Sequence, residues 1–184
     1  AGYSQSGGIT FQAGLSQSDF LGTGNQVNIS LSRSETLDSY NLGYTNPYFT
    51  PDGVSVGYDL YHRKIDAQGN ALGEYVTKTT GLGVRFGVPI SELDTIQYGL
   101  AYEQTNITTF PTSPLFYTDY VATFGSHNTA LMPSIGWVRD GRDSLIYPTN
   151  GTYQRAFADG GLPGGTLRYY RLNYQYQRYF PLTR

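Results

Sequence analysis

Side-chain polarity alternates residue by residue along most of this chain, and that period of two limits the fold more than any other feature. Ile9, Phe11, Ala13 and Leu15 alternate with Thr10, Gln12, Gly14 and Ser16. Val27, Ile29 and Leu31 alternate with Asn28, Ser30 and Ser32, and Tyr40, Leu42 and Tyr44 form the next stripe. Further stripes run through Val54–Leu60, Leu82–Val88, Ile96–Tyr102, Leu131–Trp137 and Tyr170–Tyr176. The stretch from Thr152 to Ala158 alternates less cleanly, because Arg155 shares its parity with Tyr153 and Phe157. A period of 3.6 is almost absent. The pattern therefore predicts about nine β-strands with one apolar and one polar face, each near the ~9–11 residues that cross a bilayer at a tilt.

A water-soluble sandwich of two sheets would alternate as well, so the polar face has to decide. Here that face is Gly, Ser, Thr, Asn and Gln rather than Lys and Glu. Charged residues are 14% of the chain, against roughly 25% in ordinary soluble domains. Mean hydropathy is nevertheless -0.38, and no run approaches the ~18 apolar residues of a transmembrane helix. Tyrosines cluster near strand ends, as Tyr40, Tyr44, Tyr48, Tyr58, Tyr61, Tyr169, Tyr170 and Tyr179. Amphipathic rings suit the headgroup level of a membrane. These features favour an antiparallel, up-and-down transmembrane β-barrel with lipid outside and water inside.

The connections are expected to alternate compact and long. Residues 19–25 (DFLGTGN), 46–53 (NPYFTPDG), 89–94 (PISELD) and 147–151 (YPTNG) are rich in turn formers. Residues 63–78 and 105–128 read as the longer links. Barrels of this class keep short turns on the periplasmic side, so the strand at 9–16 is expected to run toward the periplasm. The long segment 105–128 carries Phe110, Leu115, Phe116, Tyr117, Tyr120 and Phe124. It is too apolar for a disordered loop and is expected to fold as a cap, with partner contact as the alternative.

Little points to bond chemistry. A net charge of -2 gives no reason to expect nucleic acid. Cysteine is absent, so no thiolate metal site or disulfide framework can form. His62 and His127 lack a second ligand at metal spacing. The Gly-rich stretches 22–25 and 160–165 precede no helix and so are not phosphate loops. No catalytic residue, metal or cofactor is expected. Arg139, Asp140, Arg142 and Asp143 form the densest charge cluster. They read either as an ion network at the periplasmic mouth or as charges that solvate a turn.

Five stretches together resemble the barrel of the BamA family, the central component of the machinery that assembles outer-membrane β-barrels. They are SGGITFQAGLSQSDFLGTGNQVNISLSRS (6–34), TNPYFTPDGVSVGYDLY (45–61), GVRFGVPISELDTIQYGLAYE (83–103), YPTNGTY (147–153) and LPGGTLRYYRLNYQYQRYFPL (162–182). The match runs along essentially the whole chain in the family's order. It implies a barrel of about sixteen strands, of which this chain would supply the N-terminal half, without the periplasmic POTRA domains and the late strands. It also implies an insertase. The first strand pairs weakly with the last, the seam opens sideways, and an incoming strand pairs with the exposed edge. The seam residues implied are Gly2, Tyr3, Ser4, Gln5 and Ser6, with Gly7 and Gly8 loosening the same region or simply making the first turn. Short lipid-facing stripes are expected to thin the bilayer nearby. Substrates would be unfolded outer-membrane proteins. Partners would be the machinery's lipoproteins, outer-membrane lipid, and the strands or second chain that complete the sheet. The rival readings are a passive pore, a secretion channel, or a barrel used as an anchor.

Overall fold

A computed structural model of the chain describes residues 2–4, 8–68, 73–162 and 168–181. They form strands β1 (Gly2–Ser4), β2 (Gly8–Gln17), β3 (Gln26–Arg33), β4 (Leu37–Asn46), β5 (Ser55–Asp66), β6 (Tyr75–Pro89), β7 (Asp94–Thr109), β8 (His127–Asp140), β9 (Gly151–Gly160) and β10 (Tyr170–Tyr179), with one helix, α1 (Leu115–Phe124). All ten strands make a single sheet in chain order, and every neighbouring pair is antiparallel. The expected up-and-down architecture is present. β2 to β10 are the nine segments read from alternation, and the three-residue β1 is an addition. β1 and β10 are the two edges, so among the described residues the sheet is a trough rather than a closed ring.

The pairing registers place like with like. One row runs Ile29, Leu42, Leu60, Leu82, Tyr102, Leu131 across six strands. The next runs Val27, Tyr44, Tyr58, Val84, Leu100, Pro133. A one-residue slip would turn a strand's whole apolar set toward the polar face, so this alignment holds the register. Among the described residues the apolar face has no protein layer over it: Leu42, Leu60, Leu82 and Leu100 are all exposed. Only Val56, Ala67, Val76, Ile107 and Ala130 are buried apolar residues among those described. A sandwich would show a dry centre between two layers; this is one layer whose greasy side requires lipid.

Two details depart from the sequence reading. The long links are shorter than expected, because the strands continue into them. β5 runs to Asp66, β6 starts at Tyr75, β7 reaches Thr109 and β8 starts at His127. Above the apolar band both faces are polar, so alternation no longer marks the strand. Threonines and cross-strand contacts hold the ladder there, as between Thr79 and Thr105 (3.2 Å) and between His127 and Asn106 (2.5 Å). Link lengths also fail to alternate. Residues 34–36 make a three-residue connection, closed by Ser34, whose amide donates to the Leu37 carbonyl (2.8 Å) and whose Oγ accepts the Leu37 amide (3.0 Å). Residues 141–150, at the opposite end, form a longer link than 67–74.

Candidate functional site: the sheet edge, the polar trough and the turn rim

β1 and β2 form the first edge. β1 pairs with β2 only through Gly2 with Thr10, Tyr3 with Ile9, and Ser4 with Gly8. From Phe11 to Gln17, β2 is paired with β3 on one side and, among the described residues, with nothing on the other. Of the expected seam residues, Gly2, Tyr3 and Ser4 thus lie in β1 at the edge. Gln5 and Ser6 lie outside the described residues. β10 forms the other edge, with Tyr170, Leu172 and Tyr174 strongly exposed.

The sheet is also lower at its first edge than at its centre. β3 has 8 residues and β7 has 16. At about 3.4 Å per residue and a tilt near 45°, these span roughly 19 Å and 38 Å. The apolar band of such barrels is about 25 Å tall. β7 overshoots the bilayer, whereas β3 falls short of it.

The polar face holds a spaced set of contacts. Tyr61, Gly81 and Glu103 stand opposite one another on β5, β6 and β7. The Tyr61 hydroxyl reaches across β6 and donates to Glu103 Oε2 at 2.7 Å. It can do so because position 81 has no side chain: a Cβ there would sit 2.2 Å from the tyrosine Cζ. One step along the strands, Arg85 grips Asp59 with two hydrogen bonds, Nε to Oδ2 (2.5 Å) and Nη2 to Oδ1 (2.9 Å), beside Gly43 and Gly57. Arg171 Nε donates to Asp159 Oδ1 at 2.9 Å between β10 and β9. Nothing in the sequence flags Tyr61 with Glu103, since the partners are 42 residues apart.

The turn rim separates the expected four-residue charge cluster into distinct contacts. Neighbouring residues on a strand point to opposite faces. Arg139 therefore lies on the lipid-facing side, 3.7 Å from Asp94. Trp137 Nε1 also donates to Asp94, at 3.0 Å. Asp140 lies on the trough side and accepts two hydrogen bonds from Arg142, at 2.8 and 2.6 Å. The Arg142 guanidinium also stands 4.9 Å from the centre of the Tyr153 ring. One arginine thus ties together the ends of β8 and β9. Asp143 turns away to cap the link. It accepts from the Thr149 hydroxyl and from the amides of Thr149 (2.9 Å) and Asn150 (3.1 Å). The Thr149 hydroxyl, then the Asn150 amide, hold its carboxyl down at about 2.

His62 Nδ1 lies 2.7 Å from Thr80 Oγ1 and its ring stacks on Tyr40. It belongs to β5. No group of three potential metal-ligating His, Cys, Asp or Glu residues gathers among the described residues. The segment 105–128 contributes α1, held to the sheet where Tyr117 stacks on Tyr75 at 4.2 Å.

Comparison with known proteins adds three findings. A model of the Omp85 superfamily domain matches residues 19–184. The outer membrane protein assembly factor BamA of Neisseria meningitidis serogroup B is 34% identical over 194 aligned residues, which cover 100% of this chain and 24% of that protein. The crystal structure of BamA from Haemophilus ducreyi lacking POTRA domains 1–3 superposes with a TM-score of 0.77 at 28% identity, covering 96% of this chain and 35% of that one. The chain therefore spans about a quarter of the curated relative and about a third of the solved structure.

Proposed function

The chain belongs to the Omp85 superfamily and is a protein of the bacterial outer membrane, and from that premise we propose that it forms the N-terminal part of the barrel of an outer-membrane protein assembly factor. It inserts barrel proteins by lending them a strand edge, without bond chemistry. Further strands, supplied outside these residues, complete the sheet, and POTRA domains and lipoproteins of the machinery deliver the substrate. The observation that carries the reading is the low sheet on the β1 side, where β3 has 8 residues against the 16 of β7. A strand edge in such a region can pair with an incoming strand through its backbone groups. A stripe about 19 Å tall draws the two leaflets together where the substrate must enter.

Depletion of the full-length protein in its own organism tests this. Many unrelated barrel proteins should fall together in the outer membrane. A cysteine introduced at Tyr3, in a chain that has none, should form disulfide adducts with cysteines placed in the strands of a stalled substrate. Normal levels of other barrels, with only solute permeability changed, would refute the assembly reading in favour of a passive or secretory pore.

A further inference from the structure

β9 is unlike the other long strands on its lipid-facing side. Its residues there are Thr152, Gln154, Ala156, Ala158 and Gly160; none is a large apolar side chain. Its neighbours in register are large. Ala158 lies between Ile135 and Leu172, and Ala156 between Trp137 and Tyr174. Large, small, large across three strands makes a furrow along β9, and a cavity floored by the two alanines fills it. The banks stand two strand spacings apart, about 9–10 Å. Allowing a van der Waals half-contact of about 2 Å from each side leaves about 5–6 Å, the width of one extended hydrocarbon chain.

The furrow changes character at the turn rim. The Tyr174 hydroxyl donates to Gln154 Oε1 at 3.3 Å where the apolar floor ends. Beyond it an exposed arginine stands on each bank, Arg139 on β8 and Arg178 on β10. Arg139 meets Asp94 only at 3.7 Å, beyond hydrogen-bond distance. Asp94 is already engaged by Trp137 Nε1 and by Ser91 Oγ at 2.8 Å. Arg178 lies 4.8 Å from the centre of the Phe180 ring, a contact that leaves the edge donors of a guanidinium available. An apolar slot one chain wide, opening between two cations at headgroup level, has the charge and shape of a phospholipid.

We infer that β8, β9 and β10 form a binding site for one phospholipid of the leaflet nearest the turns. Its acyl chain lies over Ala156 and Ala158, and its phosphate sits between Arg139 and Arg178. Within a bilayer the furrow gains no hydrophobic driving force, because surrounding tails are equally apolar. Selectivity comes from the charge-assisted hydrogen bonds to phosphate and from filling a slot that tails in bulk lipid cross only transiently.

Trp137, on one bank, is the single tryptophan of the chain, so its emission reports the site. The full-length protein and its Trp137→Phe counterpart are reconstituted together with phosphatidylglycerol or diacylglycerol brominated on the acyl chain, and the difference in emission isolates Trp137. Half-maximal quenching is expected at a several-fold lower mole fraction of the phospholipid than of the diacylglycerol. Ala156→Leu with Ala158→Leu fills the slot and should return the phospholipid curve to that of bulk contact. Arg139→Gln with Arg178→Gln should leave quenching intact but erase the advantage of the phosphate. Heat-modified mobility on gels confirms that each variant is folded. Identical curves for the two lipids, an unchanged curve in the filled variant, or no quenching because protein covers the furrow would each overturn the assignment. None of these results bears on the assembly reading, which rests on the opposite edge.

Discussion

The arch of Tyr61 over Gly81 to Glu103 gives a quantitative test of how the trough is held. Gly81→Ala adds one methyl group, and its carbon would stand 2.2 Å from the Tyr61 Cζ and 2.4 Å from its hydroxyl. The ring must swing away, and the 2.7 Å hydrogen bond to Glu103 goes with it. A hydrogen bond to a charged group contributes about 1.5–3 kcal/mol. The pair is only half-buried, so the lower end applies. Holding the ring off its rotamer adds about 0.5–1.5 kcal/mol. Gly81→Ala should therefore destabilise by about 2–3 kcal/mol, and Tyr61→Phe, which loses only the hydroxyl, by about 1–1.5 kcal/mol. In a Tyr61→Ala background the clash vanishes. There the same Gly81→Ala should be neutral or stabilise by about 0.5 kcal/mol, because glycine is entropically poor in a strand. The double-mutant cycle should thus return a coupling of about 2–3.5 kcal/mol. Urea unfolding of the full-length protein from lipid vesicles, followed by intrinsic fluorescence, measures each corner. Equal costs for Gly81→Ala in both backgrounds would refute the reasoning.

Two further outcomes follow from the turn rim. Gly151 has φ +115, and a Cβ there would lie 2.1 Å from the Gly141 carbonyl oxygen; Gly151→Ala should cost more than the ~1–2 kcal/mol of a left-handed backbone alone, seen as a lower urea midpoint, and an unchanged midpoint would contradict the crossing of the two backbones. Asp143 is held at about 2 against an ordinary 3.8, so its contribution is complete above pH 4 and is lost as pH falls toward 2; amide exchange at Thr149 and Asn150, corrected for intrinsic rates, should rise over that interval in the native protein and show no such step in Asp143→Asn.

Alternation was legible because lipid and water act on the two faces of each strand separately, and it ceased to be legible where both faces are wet. That is why the band from Val27 to Leu31 could be placed while the upper parts of β6 and β7 read as loop. β9 is instructive in the other direction. Its pattern looked poor because Arg155 sits with Tyr153 and Phe157. In the structure these three face the trough, with Arg155 5.5 Å from the centre of the Phe157 ring and Phe157 pressed on Gly136. Alternation was intact there, with its polarity reversed and its lipid side reduced to alanine. The rim cluster resolves into separate contacts for a reason that parity alone supplies: Arg139 and Asp140 are adjacent and so cannot share a face. Helix α1 carried no signal of period 3.6 because it is not amphipathic. Leu115, Phe116 and Phe124 are exposed, and only Tyr117 is stacked on the sheet at Tyr75.

The distribution of contacts across the sheet bears on how an edge can open without the whole sheet failing. Tyr61 with Glu103, Arg85 with Asp59, and Thr79 with Thr105 all join β5, β6 and β7, the tall middle. The side-chain hydrogen bonds near the first edge are between small neutral groups, Ser16 with Asn28 (2.6 Å) and Asn41 with Ser30 (3.2 Å). Breaking the β2–β3 ladder disturbs no charged pair among the described residues, and the pair between β3 and β4, Arg33 with Asp38, is a 3.5 Å contact of an exposed arginine, whereas breaking the ladder at β5–β6 would strand Asp59 or Arg85 without a partner, which costs more than the bond itself. Sheet height is lower on the same side, with 8 residues in β3 and 10 in β2 against 16 in β7. Cohesion and membrane fit are therefore both weaker on that side than at the centre. On the assembly reading proposed above, a strand exchange at the first edge meets less resistance from protein and lipid than one at β5–β7, which serve as the fixed wall.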